Sequence, residues 1–582
     1  MQTPGSSRIT YIALRYMRRP IMVLITVYAV SMVGWILIPG LDEEGNPQNL
    51  SFFHAFYFLT YTVTTTGFGE LPHAFTDAQR MWGIVSLYAG VIAWFYALGS
   101  IIGLVQNPEY QRAIAERRFT RHVARIAGPF CIVCGYGNTG ALLTRGLSEA
   151  GMTVVVIDKN PERIKTLQLR DYRTGIAGLP ADARVPEHLI EAGLRKKNCH
   201  AVVALTQDEE VNLKISVAAR VLNPDAWIVT QSTSPAHEET LATLGENLHI
   251  IDPFQTYAKY LEATIANPLI HTLNQWLAGT PGATLDQVLR PPRGTWIICG
   301  YGRMGRRIRG ALEAEGITTV IIEPEVSPGE REVPRLIVGR ANQDSLQEAG
   351  VSTAAGIVAG TDSDPTNLGI LLNAKALNPG IFFVVRQNRY RNQVVFQGAD
   401  ADLVMMPSLV SARRMLFVLI APMMKSFFEG LRDGAPEESA RRIAAVVEEL
   451  EAVVGGTQPR VWSVEITEAT GSAVIRTAAA GRDTTLGHLL RDPVDRDRRL
   501  ECVALTLRSG GREEILPGLS TPVAPGDRIL FCASARAQHL LDATMNNEYV
   551  LSYLITGVDP PRGWIMQWAA RKFAPKSVVA GP

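Results

Sequence analysis

The chain has 582 residues, enough for about four domains on the usual length prior. Its 57 basic and 56 acidic side chains nearly cancel, so net charge leaves no nucleic-acid footprint. Hydrophobic residues make up 47% of it, ordinary for a globular protein, but they are spread unevenly.

Two runs carry no charge: Ile21 to Pro39 (IMVLITVYAVSMVGWILIP) and Met81 to Val105 (MWGIVSLYAGVIAWFYALGSIIGLV). At roughly 1.5 Å rise per residue, each can cross an apolar layer of about 30 Å. The first is too long for the apolar core of a signal peptide, and no small-residue cleavage site follows it. Spans are therefore expected over 21–39 and 81–105, within a pore domain at 20–105. Arg15, Arg18 and Arg19 precede the first span, and Arg112, Arg117, Arg118, Arg121 and Arg125 follow the second. Between Arg19 and Arg80 there is no Lys or Arg, and the loop carries LDEEG. The basic bias predicts that the 1–19 segment and the 106–128 linker both face the cytoplasm, so both termini do.

Between the spans, Ser51 to Tyr61 (SFFHAFYFLTY) has helical spacing of aromatics but is too short to cross. It predicts a helix over 51–62 that Ser51 can cap, followed by the Thr/Gly-rich stretch TVTTTGFGE from Thr62 to Glu70. A short helix, an irregular polar segment and a second span describe a re-entrant loop. Non-helical backbone at that depth is tolerable only where it lines a water-filled path or is buried in protein. A chain extended through Thr65, Thr66, Gly67, Phe68 and Gly69 can turn successive carbonyls toward an axis, and the glycines permit the angles this needs. One hairpin cannot enclose a pore, so several copies must meet.

This segment resembles the potassium-channel pore family, whose filter motif is T-x-T-T-V-G-Y-G-D. Thr62, Thr64, Thr65, Gly67 and Gly69 match it, whereas Thr66, Phe68 and Glu70 replace valine, tyrosine and aspartate. The resemblance implies a filter over 64–70 in which K+ is held by the carbonyls of Thr65, Thr66, Gly67 and Phe68 and by the Thr65 hydroxyl, from each of four subunits. Phe68 lacks the hydroxyl that would tie the filter to its aromatic surroundings, which leaves a weakly selective cation pore as the alternative. Gly90, in the middle of the second span, is the candidate gating hinge, and Gly99 is its rival.

After the basic linker the chain reads as α/β, and it repeats. FCIVCGYGNTGALLTRGLSEAGMTVVVIDKNPER carries Gly135, Gly137 and Gly140, then a strand ending at Asp158. WIICGYGRMGRRIRGALEAEGITTVIIEPE carries Gly300, Gly302, Gly305 and Glu323 in the same roles, offset by 165 residues. Two further blocks, starting at Val203 and Val358, share NL and A-x-x-LNP at an offset of 155. Two copies of one dinucleotide-binding-type domain follow. Each acid stands 18 positions after the last glycine, in strand–turn–helix context, where the Rossmann fingerprint sets a phosphate at the helix N-terminus and an acid on the ribose.

The expected nucleotide contacts are Gly135, Gly137, Asn138, Thr139, Gly140, Asp158 and Lys159 in the first copy. In the second they are Gly300, Gly302, Arg303, Met304, Gly305, Arg306 and Glu323. Asp158 and Glu323 disfavour a 2′-phosphate, which points to NAD or an ADP-type nucleotide; Arg303, Arg306 and Arg307 around the second turn favour an anion. Hydride transfer needs an acid or base beside the nicotinamide. His188, His200, His237 and His249 are scattered and none recurs in the second copy, so no enzyme is expected. Cys131 and Cys134 form a C-x-x-C inside a strand with no second pair, and all six cysteines read as core.

The tandem copies resemble RCK domains, regulators of potassium conductance, over roughly residues 129–410. TPVAPGDRILFCASARAQHLL resembles that family's C-terminal subdomain. The fold class expected is thus multidomain: an α-helical two-span pore domain, two Rossmann-like α/β domains, and a small C-terminal α+β subdomain. The first RCK copy is set at 129–290, with a helical arm over Asp252 to Leu277. The second copy is set at 291–440, the subdomain at 441–545 and a tail at 546–582, where GWIMQWAARKF reads as a surface or packing helix. The resemblance implies a homotetramer with an eight-RCK gating ring in a prokaryotic plasma (inner) membrane, gated by a nucleotide or a divalent cation. Ca2+ is a possible effector, with Asp208, Glu209, Glu210, Glu238 and Glu239 as available acids, but no metal site is legible. From another class, a membrane-anchored NAD-dependent oxidoreductase is the rival.

Overall fold

In a computed structural model, the described residues are all except 1–3, 42–45, 71–73, 246, 280–282, 287, 327–328, 330–331, 456–458 and 559–582. The acidic loop residues Asp42 to Glu44 and the tail segment GWIMQWAARKF lie outside them. The chain divides into two compact units, Met1–Ile126 and Ala127–Pro582.

In the first unit the apolar runs form α1 (Pro4–Leu37) and α3 (Asp77–Gln106), with α2 (Phe52–Val63) between them. Thr10–Leu37 and Asp77–Gln106 are each long and apolar enough to cross a membrane. A two-residue antiparallel ladder, β1 (Gly40–Leu41) with β2 (Pro47–Gln48), follows α1. Thr76 and Gln79 form a capping box at the start of α3, and Asn107 caps α4 (Pro108–Arg125).

The pairing of α1 with α3 rests on two tryptophans facing glycines. A Cβ on Gly34 would lie 2.1 Å from the Trp82 indole, whose Nε1 donates to the Ser31 carbonyl at 3.0 Å. Conversely Trp35 lies against Gly83 and donates from Nε1 to Ser86 Oγ at 3.2 Å. Small residues that let helices approach, with polar contacts between them, are what holds helices together in lipid, where burial of apolar surface gives no net drive. Gly90 does the same for α2: a Cβ there would meet Val63 Cγ2 at 2.3 Å, while one on Gly99 would meet nothing within 4 Å.

In the second unit each glycine-turn repeat builds a six-stranded parallel sheet. The first contains β3 (Phe130–Cys134), β4 (Thr153–Asp158), β5 (Ile176–Pro180), β6 (Cys199–Ala204), β7 (Trp227–Gln231) and β8 (Leu248–Ile251), in the order β5-β4-β3-β6-β7-β8. Helices α5 (Asn138–Glu149), α6 (Pro161–Gln168), α7 (Pro186–Glu191), α8 (Glu209–Leu222) and α9 (Pro235–Ala242) connect them, and α10 (Pro253–Ala266) and α11 (Pro268–Leu277) follow. The second contains β9 (Trp296–Cys299), β10 (Thr319–Glu323), β11 (Leu336–Val338), β12 (Gly356–Ala359), β13 (Phe382–Arg386) and β14 (Leu403–Met405), in the matching order β11-β10-β9-β12-β13-β14. Its helices are α12 (Arg303–Ala314), α13 (Gln343–Glu348), α14 (Asp364–Leu377) and α15 (Gln393–Gly398), then α16 (Pro407–Ile420), α17 (Met424–Arg432) and α18 (Pro436–Val453). FCIVC is buried at all five positions, as a parallel strand covered on both faces must be.

The helices that leave each sheet cross to the other copy. Phe254, Tyr257, Leu261 and Ile265 of α10 share a core with Trp296, Ile298 and Ile308 of the second copy. Ala412, Met415 and Leu419 of α16 share one with Cys131, Val133, Leu143 and Leu147 of the first. Next, α11, α17 and α18 pack on a four-stranded antiparallel sheet made of Arg460–Glu465, Arg528–Ala533, Cys502–Ser509 and Arg512–Ile515. Ile270, Trp276, Phe427, Ile443, Leu505 and Leu530 lie in that common core, so the helical arm of the first copy is also a wall of the C-terminal lobe. The lobe's other core includes Ile466, Leu486, Leu541 and Leu551, giving the α+β character.

Candidate functional site

The re-entrant segment starts from a capped helix. Ser51 Oγ accepts the His54 N–H at 3.3 Å, which satisfies one of the free donors at the start of α2. At its far end the Thr66 and Gly67 N–H groups both donate to the Tyr61 carbonyl, at 2.9 and 3.2 Å, turning the chain back under the helix. From there φ is positive at every second residue: +60° at Thr65, +64° at Gly67 and +75° at Gly69. Glycine adopts this freely; a β-branched residue such as Thr65 does so at a cost.

Behind this backbone the side chains are tied to α2. Thr64 Oγ1 donates to the Thr60 carbonyl at 2.8 Å and lies 2.9 Å from Thr66 Oγ1. The Phe68 ring runs parallel to Tyr57 at 6.5 Å and edge-on to Tyr61 at 6.2 Å. Tyr61 donates its hydroxyl to the Glu70 carbonyl at 3.0 Å, and Tyr57 donates to Glu70 Oε2 at 3.3 Å. Sequence reading noted the hydroxyl missing from Phe68 and overlooked these two tyrosines. Their spacing, four residues apart on a short helix before the Thr/Gly-rich stretch, was the available signal.

The two glycine turns are built alike. Gly135 has φ +107°, and a Cβ on it would meet the Leu205 carbonyl oxygen at 2.7 Å. Gly140 lies so close to Gly135 that a Cβ would stand 2.0 Å from its carbonyl oxygen; the Gly305–Gly300 pair matches at 2.1 Å. Gly137 and Gly302 differ: a Cβ there would meet nothing within 4 Å, and each starts its helix without a side-chain cap. The unfilled helix N-termini therefore face open space, the arrangement that receives a phosphate.

The acids at the ends of β4 and β10 brace their own turns. Asp158, 5% exposed, accepts the Tyr136 N–H at 2.6 Å and the Asn160 N–H at 2.8 Å, and pairs with Arg163 at 3.3 Å. Glu323 accepts the Tyr301 N–H at 2.5 Å and the Glu325 N–H at 3.2 Å. A cavity of about 330 Å³ opens beside the first turn, lined by Tyr136, Gly137, Asn138, Arg163, Arg170 and Gln207. Thr139 is half-buried in the first turn of α5, and Lys159 is exposed beside Asp158. Met304 is buried in the core, which leaves only its backbone for a ligand.

The arginines of the second turn reach toward the first copy. Arg303 donates to Thr233 Oγ1 at 2.8 Å, stands 3.9 Å from Glu209 and lies 5.3 Å above the Phe254 ring. Arg386, at the end of β13, lies 5.1 Å from the same ring. Arg307 pairs with Asp252 at 3.5 Å, and Arg306 stacks on Tyr301. Glu209 accepts bonds from Thr233 N and Oγ1, Ser232 Oγ and Ser234 N. Burial works against its charge, but these hydrogen bonds outweigh that and hold its carboxyl below the ordinary range. Sequence reading missed Phe254 and Arg386; aligning the repeats at the 155 offset sets Arg386 against Gln231 and would have shown the gained charge.

The remaining candidates have local duties. His188 Nδ1 contacts the Asp182 carbonyl at 2.8 Å, His200 and His249 stack on Trp227, and His237 lies 3.8 Å from Glu209. Asp208 caps α8, and Glu210 pairs with Lys214. Among the described residues no group of three or more His, Cys, Asp or Glu could hold a metal ion. All six cysteines are buried and unpaired.

The TrkA-N domain family matches residues 131–252 and again 296–407, and the ion channel family matches residues 22–107. Potassium channel protein 1 of Methanocaldococcus jannaschii is 23% identical over 226 residues, 39% of this chain and 63% of that protein. The voltage-gated potassium channel Kch of Escherichia coli is 26% identical over 190 residues, 32% of this chain and 44% of that one. The chain thus spans less than two thirds of the length of both channels. A Trk system potassium uptake protein TrkA homolog of Pyrococcus abyssi is 27% identical over 173 residues, 29% of this chain and 67% of its own. Among solved structures, the GsuK channel bound to NAD aligns with 92% of this chain and 99% of its own, at 17% identity and a TM-score of 0.47. The chain thus carries an ion-channel segment followed by two TrkA-N domains, and potassium channels are among the proteins it is similar to.

Proposed function

We propose that the protein is a ligand-gated potassium channel whose pore is made by four copies of the segment from α1 to α3. The observation that carries the reading is the alternation of φ sign at Thr65, Gly67 and Gly69. In the proposed pore, this reversal at every second residue lets the carbonyls of Thr65, Thr66, Gly67 and Phe68 turn toward the common axis. Such rings, with the Thr65 hydroxyl, replace the hydration shell of K+. Purified protein in liposomes, recorded under bi-ionic potassium and sodium, tests this. A reversal potential far toward potassium is expected; one near zero would mean a weakly selective cation pore, and no flux at all would remove the channel.

The gate is a ring of eight RCK domains that binds an NAD- or ADP-type nucleotide at its glycine turns. Open helix N-termini at Gly137 and Gly302 support this, as does the cavity beside the first turn. A ligand that prefers one ring shape moves the gate by its differential affinity, acting on α3 through the 106–128 linker. The protein lies in a prokaryotic inner membrane with both termini cytoplasmic, as the placement of its arginines supports. Conduction rather than catalysis is its role; NAD reduction by the purified protein would count against that.

A further inference from the structure

Two peptide planes after α2 hang from one carbonyl. The Thr66 and Gly67 N–H groups both donate to the Tyr61 carbonyl, at 2.9 and 3.2 Å. In a trans peptide plane the C=O points opposite to the N–H. The Thr65 and Thr66 carbonyls therefore point away from α2, and the aim of both depends on a single shared acceptor. Thr65 itself has φ +60°, where a β-branched residue is strained and persists only if its surroundings over-determine it.

A second tie runs through side chains. Thr64 Oγ1 donates to the Thr60 carbonyl at 2.8 Å and lies 2.9 Å from Thr66 Oγ1. A threonine hydroxyl has one hydrogen to give, and Thr64 has given its own, so Thr66 is the donor in the second contact. The relay from Thr66 to Thr64 to the Thr60 carbonyl bridges the strained Thr65 and ends on the last turn of α2. Each link polarises the next. Phe68, two residues on, has no polar side-chain atom and offers Tyr57 and Tyr61 ring contacts alone. Where the potassium-channel motif has valine and then tyrosine, this chain has its hydroxyl at 66 and none at 68.

We infer that the Thr66 hydroxyl is a positioning group for cation selectivity, which holds the Thr65 and Thr66 carbonyls in place by tying residue 66 to α2 across the strained Thr65. The inference rests on the reading that this segment is a potassium filter. It goes further by giving selectivity to a side chain on the α2 side of the backbone. A carbonyl ring discriminates through oxygens held in number and place. Without the hydroxyl, φ at Thr65 can relax, which turns the peptide planes on either side of it and lets the ring close on a smaller ion.

The test is the K+/Na+ permeability ratio, from bi-ionic reversal potentials of the purified full-length protein in liposomes, with the assembly of each variant checked by size exclusion. Thr66→Val keeps the branched shape and removes the hydroxyl. It is expected to lower the ratio about fivefold, the factor equivalent to one neutral hydrogen bond. Thr66→Ser restores a hydroxyl and is expected to recover most of that loss, which a purely steric role would not allow. Thr64→Val breaks the relay at its middle, so the double variant is expected to lose no more than Thr64→Val alone. If wild-type protein prefers potassium but Thr66→Val keeps its ratio, the inference is wrong while the filter reading stands. The same holds if Thr66→Ser falls as far as valine, or if the losses at 64 and 66 add in full. Wild-type protein that conducts without preferring potassium would remove the potassium-filter reading and this inference with it. Should Thr66→Val fail to assemble, Thr66→Ala is compared with Thr66→Ser instead: a lower ratio in the alanine variant is expected, and equal ratios would overturn the assignment.

Discussion

Tyr61 and Glu70 are joined by a hydrogen bond of 3.0 Å from a helix hydroxyl to the carbonyl at the far end of the Thr/Gly-rich segment. Tyr57, one turn earlier, reaches the carboxylate of the same residue. Residues 61 to 70 are thereby closed into a loop at both ends, since Thr66 and Gly67 also donate to the Tyr61 carbonyl. Tyr61→Phe removes the outer closure without changing the ring. A loss of about 1 kcal/mol is expected, read as a lower assembly melting temperature and a reversal potential shifted toward zero.

Gly90 is packed rather than free. Gly90→Ala is expected to cost about 1–3 kcal/mol by overpacking Val63, and Val63→Ala in the same chain should recover most of it. Gly99→Ala, with no neighbour within 4 Å of a Cβ in the protomer, should be close to neutral. Thermal unfolding of the three variants separates the outcomes; equal effects at Gly90 and Gly99 would count against packing and favour a hinge common to both.

Asp158 serves the fold as well as any ligand. Asp158→Ala leaves the buried Tyr136 N–H without its carboxylate and Arg163 without its counter-ion. A loss of about 3 kcal/mol in the stability of the second unit is expected. Denaturant unfolding followed in ligand-free protein checks it, because a residue used only for ribose would leave that value unchanged.

His271 is 6% exposed between Thr264 Oγ1 at 2.8 Å and the Tyr260 hydroxyl at 3.2 Å. Burial pushes its pKa from 6.5 down to about 4. The folded state thus resists protonation that the unfolded chain accepts. The associated stability is whole above pH 6.5 and is lost progressively as pH falls from there toward 4. The span amounts to about 3 kcal/mol, and His271→Gln should flatten the pH profile of unfolding over that window.

Much of the fold could be read from local rules. Charge-free runs gave both membrane-type helices, and each glycine turn lay between a buried strand and a helix, as its spacing requires. The exchange of α10 and α16 was hidden, because periodicity says that a helix has an apolar face without saying which copy covers it. Asp252 to Leu277 therefore read only as a helical arm. At the candidate sites, Gly135, Gly140, Gly300 and Gly305 were legible because each has a steric duty in its turn. Phe254, Arg386 and the pair Tyr57–Tyr61 were not, since their significance depends on what lies opposite them in space.

The reciprocal exchange of helices has a consequence for divergence. Two identical chains that swap arms form a symmetric pair, and any substitution appears on both sides of its axis. Here the pair is written into one polypeptide, so Asn138 and Arg303, or Gln231 and Arg386, are altered independently. Covalent linkage also keeps the halves at a fixed, high effective concentration. A weakened seam therefore does not dissociate the pair. One half can specialise in chemistry while the other keeps the scaffold, an option closed to a homodimer.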